Sequence, residues 1–139
     1  MMAFKWPVRV YIEDTDFGGI VYYVNYLKFM ERARTELLRS AGWSQHELAA
    51  NHLIFVVGSV EAQYLAPAKL DDQLIVHTTI KKPQGARIKF LQAVVKEGSD
   101  RVLCQAEIEV IAVTPAMRPK RWPKELITTI DQTHPEVWS

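Results

Sequence analysis

Residues 8–23 read Val8-Arg9-Val10-Tyr11-Ile12-Glu13-Asp14-Thr15-Asp16-Phe17-Gly18-Gly19-Ile20-Val21-Tyr22-Tyr23, and the hydrophobic period changes just beyond them. From Val8 to Glu13 the β-branched Val8, Val10 and Ile12 alternate with Arg9, Tyr11 and Glu13, the period of a strand. Asp14-Thr15-Asp16-Phe17-Gly18-Gly19 then breaks the alternation, because carboxylates can bond nearby backbone and the paired glycines permit positive φ. From about Val24 to Ala41, Tyr26, Phe29, Met30, Ala33, Leu37 and Ala41 recur at the spacing of one helical face. Such a helix is about 27 Å long at a rise of about 1.5 Å per residue. Its other face carries Lys28, Glu31, Arg32, Arg34, Glu36 and Arg39, which read as solvated surface, with Arg32 and Glu36 one turn apart. Gly42 supplies the stop.

Downstream, Ser44 and Glu47 have the spacing of a capping box at the head of a short helix that reaches about Asn51. Four strand-like segments follow, Ile54 to Ala66, Gln73 to Lys81, Arg87 to Glu97 and Arg101 to Val113. Pro67 to Asp72, Lys82 to Ala86 and Glu97 to Asp100 are the turns between them, and turns this short imply antiparallel neighbours. The order predicts an α+β chain in which one long helix packs across a five-stranded antiparallel sheet, its last four strands forming a meander. Residues 1–115 read as one domain and residues 116–139 as a C-terminal tail, with no repeat or low-complexity linker in between.

The composition suits that reading: 139 residues make one domain, and 48% hydrophobic with 24% charged residues is the balance of a globular protein. The 17 basic and 16 acidic residues leave a formal charge of +1, so no overall field points to nucleic acid, and an anionic ligand would need local charge. A single cysteine, Cys104, excludes an internal disulfide framework and suits a reducing compartment, so the cytoplasm is the expected location. Neither a signal-like apolar run nor a membrane-length segment is present.

The densest polar feature is Glu13-Asp14-Thr15-Asp16 running into the mouth of the long helix. The unpaired amides of a helix N-terminus can hold a polarised carbonyl oxygen, and a neighbouring carboxylate can attack a carbonyl or activate water. Together these suit acyl transfer. The plainer alternative is that Asp14 and Asp16 only cap the helix and stabilise its dipole. Elsewhere, His46, His52, His77 and His134 lie on separate elements without metal-ligand spacing, so no metal site is expected. Cys104 shares a parity with Ala106, Ile108 and Val110 and reads as a packed thiol. Gly58-Ser59 beside Val57 marks either a bulge or a place where a ligand approaches the backbone.

The run from Asp14 to Tyr26, with Glu31-Arg32-Ala33-Arg34 after it, strongly resembles the hot-dog fold acyl-CoA thioesterases of the 4-hydroxybenzoyl-CoA thioesterase family. Trp6-Pro7-Val8-Arg9-Val10-Tyr11 and Tyr64-Leu65-Ala66-Pro67-Ala68 look most like the branch associated with the Tol-Pal cell-envelope system, and the likeness extends from about Trp6 to Pro123. The resemblance implies hydrolysis of an acyl-CoA to a free acid and coenzyme A, with no metal or redox cofactor. It places the catalytic carboxylate, as nucleophile or general base, on Asp16 and makes Asp14 its structural partner. The carbonyl-polarising amide falls on Tyr23, where that branch often has His. It also implies a homodimer with a continuous sheet, often paired again into a homotetramer, with a site that draws on two subunits. Substrate would run past Gly19, Val57, Gly58 and Ser59. Lys81, Lys82 and Arg87, flanking the turn at Pro83 and Gly85, are reasonable suppliers of charge for coenzyme A phosphates, with Lys81 and Lys82 on opposite faces. A hydratase on the same fold would want a His near the helix, and none lies before His46. The rival from another class is a non-catalytic protein that recruits acyl carrier protein or envelope-lipid enzymes.

Overall fold

The helix α1, Tyr23–Ser40, organises the computed structural model, which describes residues 3–139. Its apolar face places Tyr26, Phe29, Met30, Ala33 and Leu37 in the core, as the spacing predicts. At its end Gly42 takes φ +93°, and the Trp43 amide reaches back to the Leu38 carbonyl at 2.9 Å, which satisfies an otherwise orphaned helix end. α2, Gln45–Ala50, starts with the Ser44 hydroxyl accepting the Glu47 amide at 3.2 Å. On the outer face of α1, Glu36 accepts from Arg39 at 3.2 Å rather than pairing with Arg32, whose guanidinium lies 6.0 Å from the centroid of the Phe29 ring.

The strands are β1 (Phe4–Arg9), β2 (Ile54–Tyr64), β3 (Gln73–Ile80), β4 (Arg87–Lys96) and β5 (Val102–Val113). They form one antiparallel sheet in the order β1-β3-β4-β5-β2. The expected four-strand meander is therefore only three strands long, β3 to β5, and β2 pairs with β5 at the far edge. The connection after β2 explains this departure. Leu65 and Ala66 still donate to the Leu103 carbonyl, so the chain stays on the β5 side. Ala68 is then buried, its amide on the Tyr26 hydroxyl and its carbonyl on the Val21 amide, which carries the chain past the start of α1 before β3 begins.

α1 packs on β1, β3 and β4. Leu74, Val76, Ile88, Phe90 and Ile108 supply the facing core, each side chain contributing roughly 1.5–3 kcal/mol by leaving water. One buried amide crosses the interface: Gln92 donates to the Met30 carbonyl at 2.9 Å and to the Thr78 hydroxyl at 3.0 Å. The first strand lies earlier than its alternation suggests, at Phe4–Arg9 instead of Val8–Glu13. Ile12–Asp14 is a single helical turn, closed by the Asp14 carboxylate on the Tyr11 amide, and leaves Ile12 exposed.

Beyond residue 115 the chain returns to the core. Trp122 is buried, and α3, Lys124–Thr133, inserts Leu126 and Ile130, followed by the buried Val137. Ile130→Ala should therefore cost about 2–5 kcal/mol, the range for truncating a buried aliphatic side chain, read from urea denaturation. A cost below about 0.5 kcal/mol would make this segment peripheral to the fold.

Candidate active site

The loop between β1 and α1 is stitched on both sides. Thr15 and Val21 form an antiparallel bridge, and Ile20 bridges to Lys69 in the connection before β3. Within the loop the Asp16 amide donates to the Ile20 carbonyl at 3.0 Å and the Gly19 amide to the Asp16 carbonyl at 3.1 Å. This return requires φ +75° at Gly19, a conformation that disfavours any side chain.

The two aspartates face opposite ways. Asp14 is buried, with its carboxylate accepting from the Tyr11 amide at 2.8 Å and from the Asn25 side-chain amide at 3.1 Å. Its own carbonyl accepts the Tyr22 amide at 2.9 Å, which ties the loop directly to the head of α1. Asp16 is exposed; one carboxylate oxygen accepts the Gly18 amide at 2.9 Å, and the other has no partner among the described residues. Neither carboxylate caps α1, whose N-terminal residue Tyr22 makes no side-chain cap. The plain capping reading therefore fails for this helix, and the Tyr23 and Val24 amides have no partner among the described residues, while the Asn25 amide meets the Tyr22 carbonyl at 2.8 Å.

Aromatic rings surround the helix start. Tyr22 and Tyr23 lie 4.9 Å apart by centroids, and Tyr64 sits 5.8 Å from both Tyr23 and Tyr26. The hydrogen bond and charge of Tyr23 raise the Tyr22 phenol above its ordinary pKa, and burial raises Tyr64, so both rings are neutral near pH 7. Asn25, Tyr64 and Ala68 were not legible as site residues. The one available hint was Asn25, a short amide inside an apolar helical segment, which needs a buried partner to be tolerated there.

The other candidates are distributed over the sheet. A register shift between Val57 and Ser59 shows a bulge, and a Cβ at Gly58 would come within 2.7 Å of the Ile111 Cδ1 atom, so a larger residue there would push the tip of that side chain aside. Lys81 pairs with Glu107 at 3.3 Å, Arg87 pairs with Glu109, and Lys82 is exposed. Since Arg9 is opposite Gln73 at the start of β3, the end of β1 that leads into the Asp16 loop lies about 26 Å along the sheet from Lys81, at ~3.3 Å per strand residue. One chain does not bring these cations to Asp16. Cys104 is fully buried, and desolvation pushes its thiol up to about 11, which makes it a poor nucleophile. Among the described residues no cluster of metal-ligating side chains occurs, and no helix is long and apolar enough to cross a membrane.

A five-stranded antiparallel sheet wrapped around one long helix is the hot-dog fold. The chain belongs to the thioesterase-like superfamily, whose family model matches residues 10–129. Within it the chain is 44% identical over 130 residues to the acyl-CoA thioester hydrolase YbgC of Escherichia coli O6:H1, covering 93% of this chain and 96% of that protein. It is 43% identical to the acyl-CoA thioesterase YbgC of Haemophilus influenzae, over 89% of this chain and 91% of that one. A probable thioesterase from Bartonella henselae superposes with a TM-score of 0.81 at 36% identity, over 86% of this chain and 98% of that chain.

Asp14→Asn would turn an amide donor toward the donors of Tyr11 or Asn25, so it should cost about 1–3 kcal/mol of stability by denaturant titration. A neutral outcome would remove Asp14 from its positioning role. With its thiol raised to about 11, Cys104 should react with a thiol reagent at pH 8 only through opening of the fold, so its rate should rise steeply in urea.

Proposed function

We propose that the chain hydrolyses acyl-CoA thioesters to a free carboxylic acid and coenzyme A, with Asp16 as the catalytic carboxylate. The supporting observation is the open Asp16 oxygen on a loop held rigidly to the uncapped start of α1. The Tyr23 amide, in the first turn, binds the thioester oxygen as it gains charge, a role that needs no side chain. Asp16 either attacks the carbonyl carbon, expelling the thiolate and forming a mixed anhydride that water then hydrolyses to the free acid and the regenerated carboxylate, or takes a proton from a water that attacks directly; in both routes the thiolate leaves and is protonated. Asp14 and Asn25 position the loop without touching substrate.

The phosphate cations come from a second copy of the chain. β1 is an edge blunted by Pro7, whereas β2 is an 11-residue edge without proline whose side chains are largely exposed. Two β2 strands pairing antiparallel about a twofold axis would continue the sheet and set the Ile54 end of one against the Tyr64 end of the other. Tyr64 touches Tyr23, so the Ile54 end of the partner copy's β2 would approach this chain's helix start, with the Val57-Gly58-Ser59 bulge near the twofold axis. The partner copy's Arg87 lies two strands in from that edge, opposite Ile111, with Lys82 nearby. We infer a homodimer or its paired tetramer acting in the cytoplasm, on acyl groups carried by coenzyme A or by acyl carrier protein.

Asp16→Asn should lower kcat by on the order of 100-fold or more with little change in thermal midpoint, because Asn keeps the shape and the Gly18 contact but not the base. If the rate per folded molecule were retained, or if coenzyme A were not released at all by the native protein, the enzymatic reading of Asp16 would fail. Arg87→Ala and Lys82→Ala should raise KM for acyl-CoA far more than they lower kcat, and light scattering should show no active monomer. An unchanged KM in both variants would place the phosphates elsewhere.

A further inference from the structure

The loop that carries Asp16 has two limbs. Asp14 holds the first, its carbonyl on the Tyr22 amide and its carboxylate on Asn25. The second, Gly19 to Val21, leans on the connection between β2 and β3. The Ala68 carbonyl accepts the Val21 amide at 2.9 Å, the Leu70 amide donates to the Gly19 carbonyl at 3.1 Å, and Ile20 bridges Lys69 between them. Asp16 is bound to this limb by its own backbone, since its amide donates to the Ile20 carbonyl at 3.0 Å and its carbonyl accepts the Gly19 amide at 3.1 Å. Where residues 68–70 sit therefore decides where Asp16 sits.

One side chain sets the depth of that connection. The Tyr26 hydroxyl accepts the Ala68 amide at 2.9 Å, and both residues are buried. Pro67 has no amide to give, and the Lys69 amide is taken by the Asp72 carboxylate at 2.9 Å. Among the described residues, the bond to Tyr26 is the only one from residues 67–70 to a side chain of α1. The Tyr26 ring is itself held by packing, 6.2 Å from Phe29 and 5.8 Å from Tyr64 by centroids. Burial raises its phenol above the ordinary pKa, so the acceptor is a neutral hydroxyl near pH 7. Tyr26 also lies three residues after Tyr23, on the neighbouring turn of the same helix face. The helix that presents the Tyr23 amide thus fixes the depth of the loop that presents the Asp16 carboxylate.

We propose that Tyr26 is a positioning residue for thioester hydrolysis, its hydroxyl setting, through Ala68 and Val21, the distance of Asp16 from the Tyr23 amide. The proposal rests on the catalytic reading of Asp16. It predicts a loss in rate rather than in affinity, because a displacement of about 1 Å at a reacting group can cost about 100-fold in rate while the groups that hold the nucleotide stay in place. A hydroxyl that merely satisfied a buried amide would affect stability and leave the rate per folded molecule unchanged.

The test is kinetic, on an acyl-CoA that the native protein hydrolyses. Tyr26→Phe keeps the ring and removes the acceptor; it should lower kcat per folded molecule at least about tenfold with KM within about twofold. Added to Asp16→Asn, it should bring less than about threefold further loss, since a misplaced carboxylate and an absent one are equivalent. Amide hydrogen exchange in Tyr26→Phe should quicken at least about tenfold at Ala68, Val21 and Leu70, while the buried Val94 of β4 stays protected. An ester in place of the Ala68 amide removes the donor, leaves Tyr26 whole, and should give the same loss in kcat. An unchanged kcat in Tyr26→Phe, a loss carried by KM, or losses that multiply in the double variant would each overturn the proposal and leave Asp16 catalytic. A native rate in the ester variant would overturn it even if Tyr26→Phe did not fold. Full activity in Asp16→Asn would remove the catalytic reading of Asp16 and this proposal with it.

Discussion

A buried carboxylate joins the strand, the loop and the helix on which everything at the site depends. Asp14 takes the Tyr11 amide at the end of β1 and the Asn25 side chain one turn into α1, while its carbonyl takes the Tyr22 amide. A charge this deep is tolerable because its oxygens meet donors. Its satisfaction fixes where β1 ends, since the Tyr11 amide turns away from the sheet to meet it. None of these bonds reaches the Tyr23 or Val24 amides, so the helix start keeps them unpaired. The two aspartates therefore differ in role because they differ in solvent: one is consumed by structure, and the other keeps an oxygen open.

The second constraint is the path from β2 to β3. Had β2 paired with β3, the connection would have been a tight turn, and Ala68 would not have reached the Tyr26 hydroxyl or the Val21 amide. By running to the far edge, β2 leaves a segment that both braces the Asp16 loop and delivers Tyr64 to the helix start. The same choice puts a long, proline-free strand at the margin of the sheet. The proposed second copy would cover that edge, and the separation of Asp16 from Arg87 within one chain is a consequence of the same topology.

Local patterns were legible where local physics decides. The α1 stripe, the Gly42 stop and the Ser44–Glu47 cap all depend on residues within a turn or two of one another, and each was readable. The resemblance of the Asp14–Tyr26 run to known thioesterases pointed to the family, which the family match and the YbgC relatives show. The strand order was not legible, because two antiparallel partners of similar apolarity, β3 and β5, compete for β2 and only the non-local anchoring of Ala68 separates them. Likewise Leu126, Ile130 and Val137 are too few, and follow too many prolines, to announce a core segment from periodicity. The structural role of Asn25 has no local signal because its partner, Asp14, lies eleven residues away.

Arg34 shows the limit of reading a charged helical face by composition. Six charged residues share that outer arc; Lys28, Glu31, Arg32 and Arg39 are exposed, Glu36 is half-buried beside Arg39, and the sixth, Arg34, reaches Gln92 in the sheet. What distinguishes the sixth is angular position: Arg34 lies one turn past Met30 and just before Leu37, where its aliphatic stem continues the apolar stripe. Gln92 gains an acceptor role from this arrangement, since both its donors already hold the Met30 carbonyl and the Thr78 hydroxyl. The helix, the sheet and the cation are thus coupled through one amide.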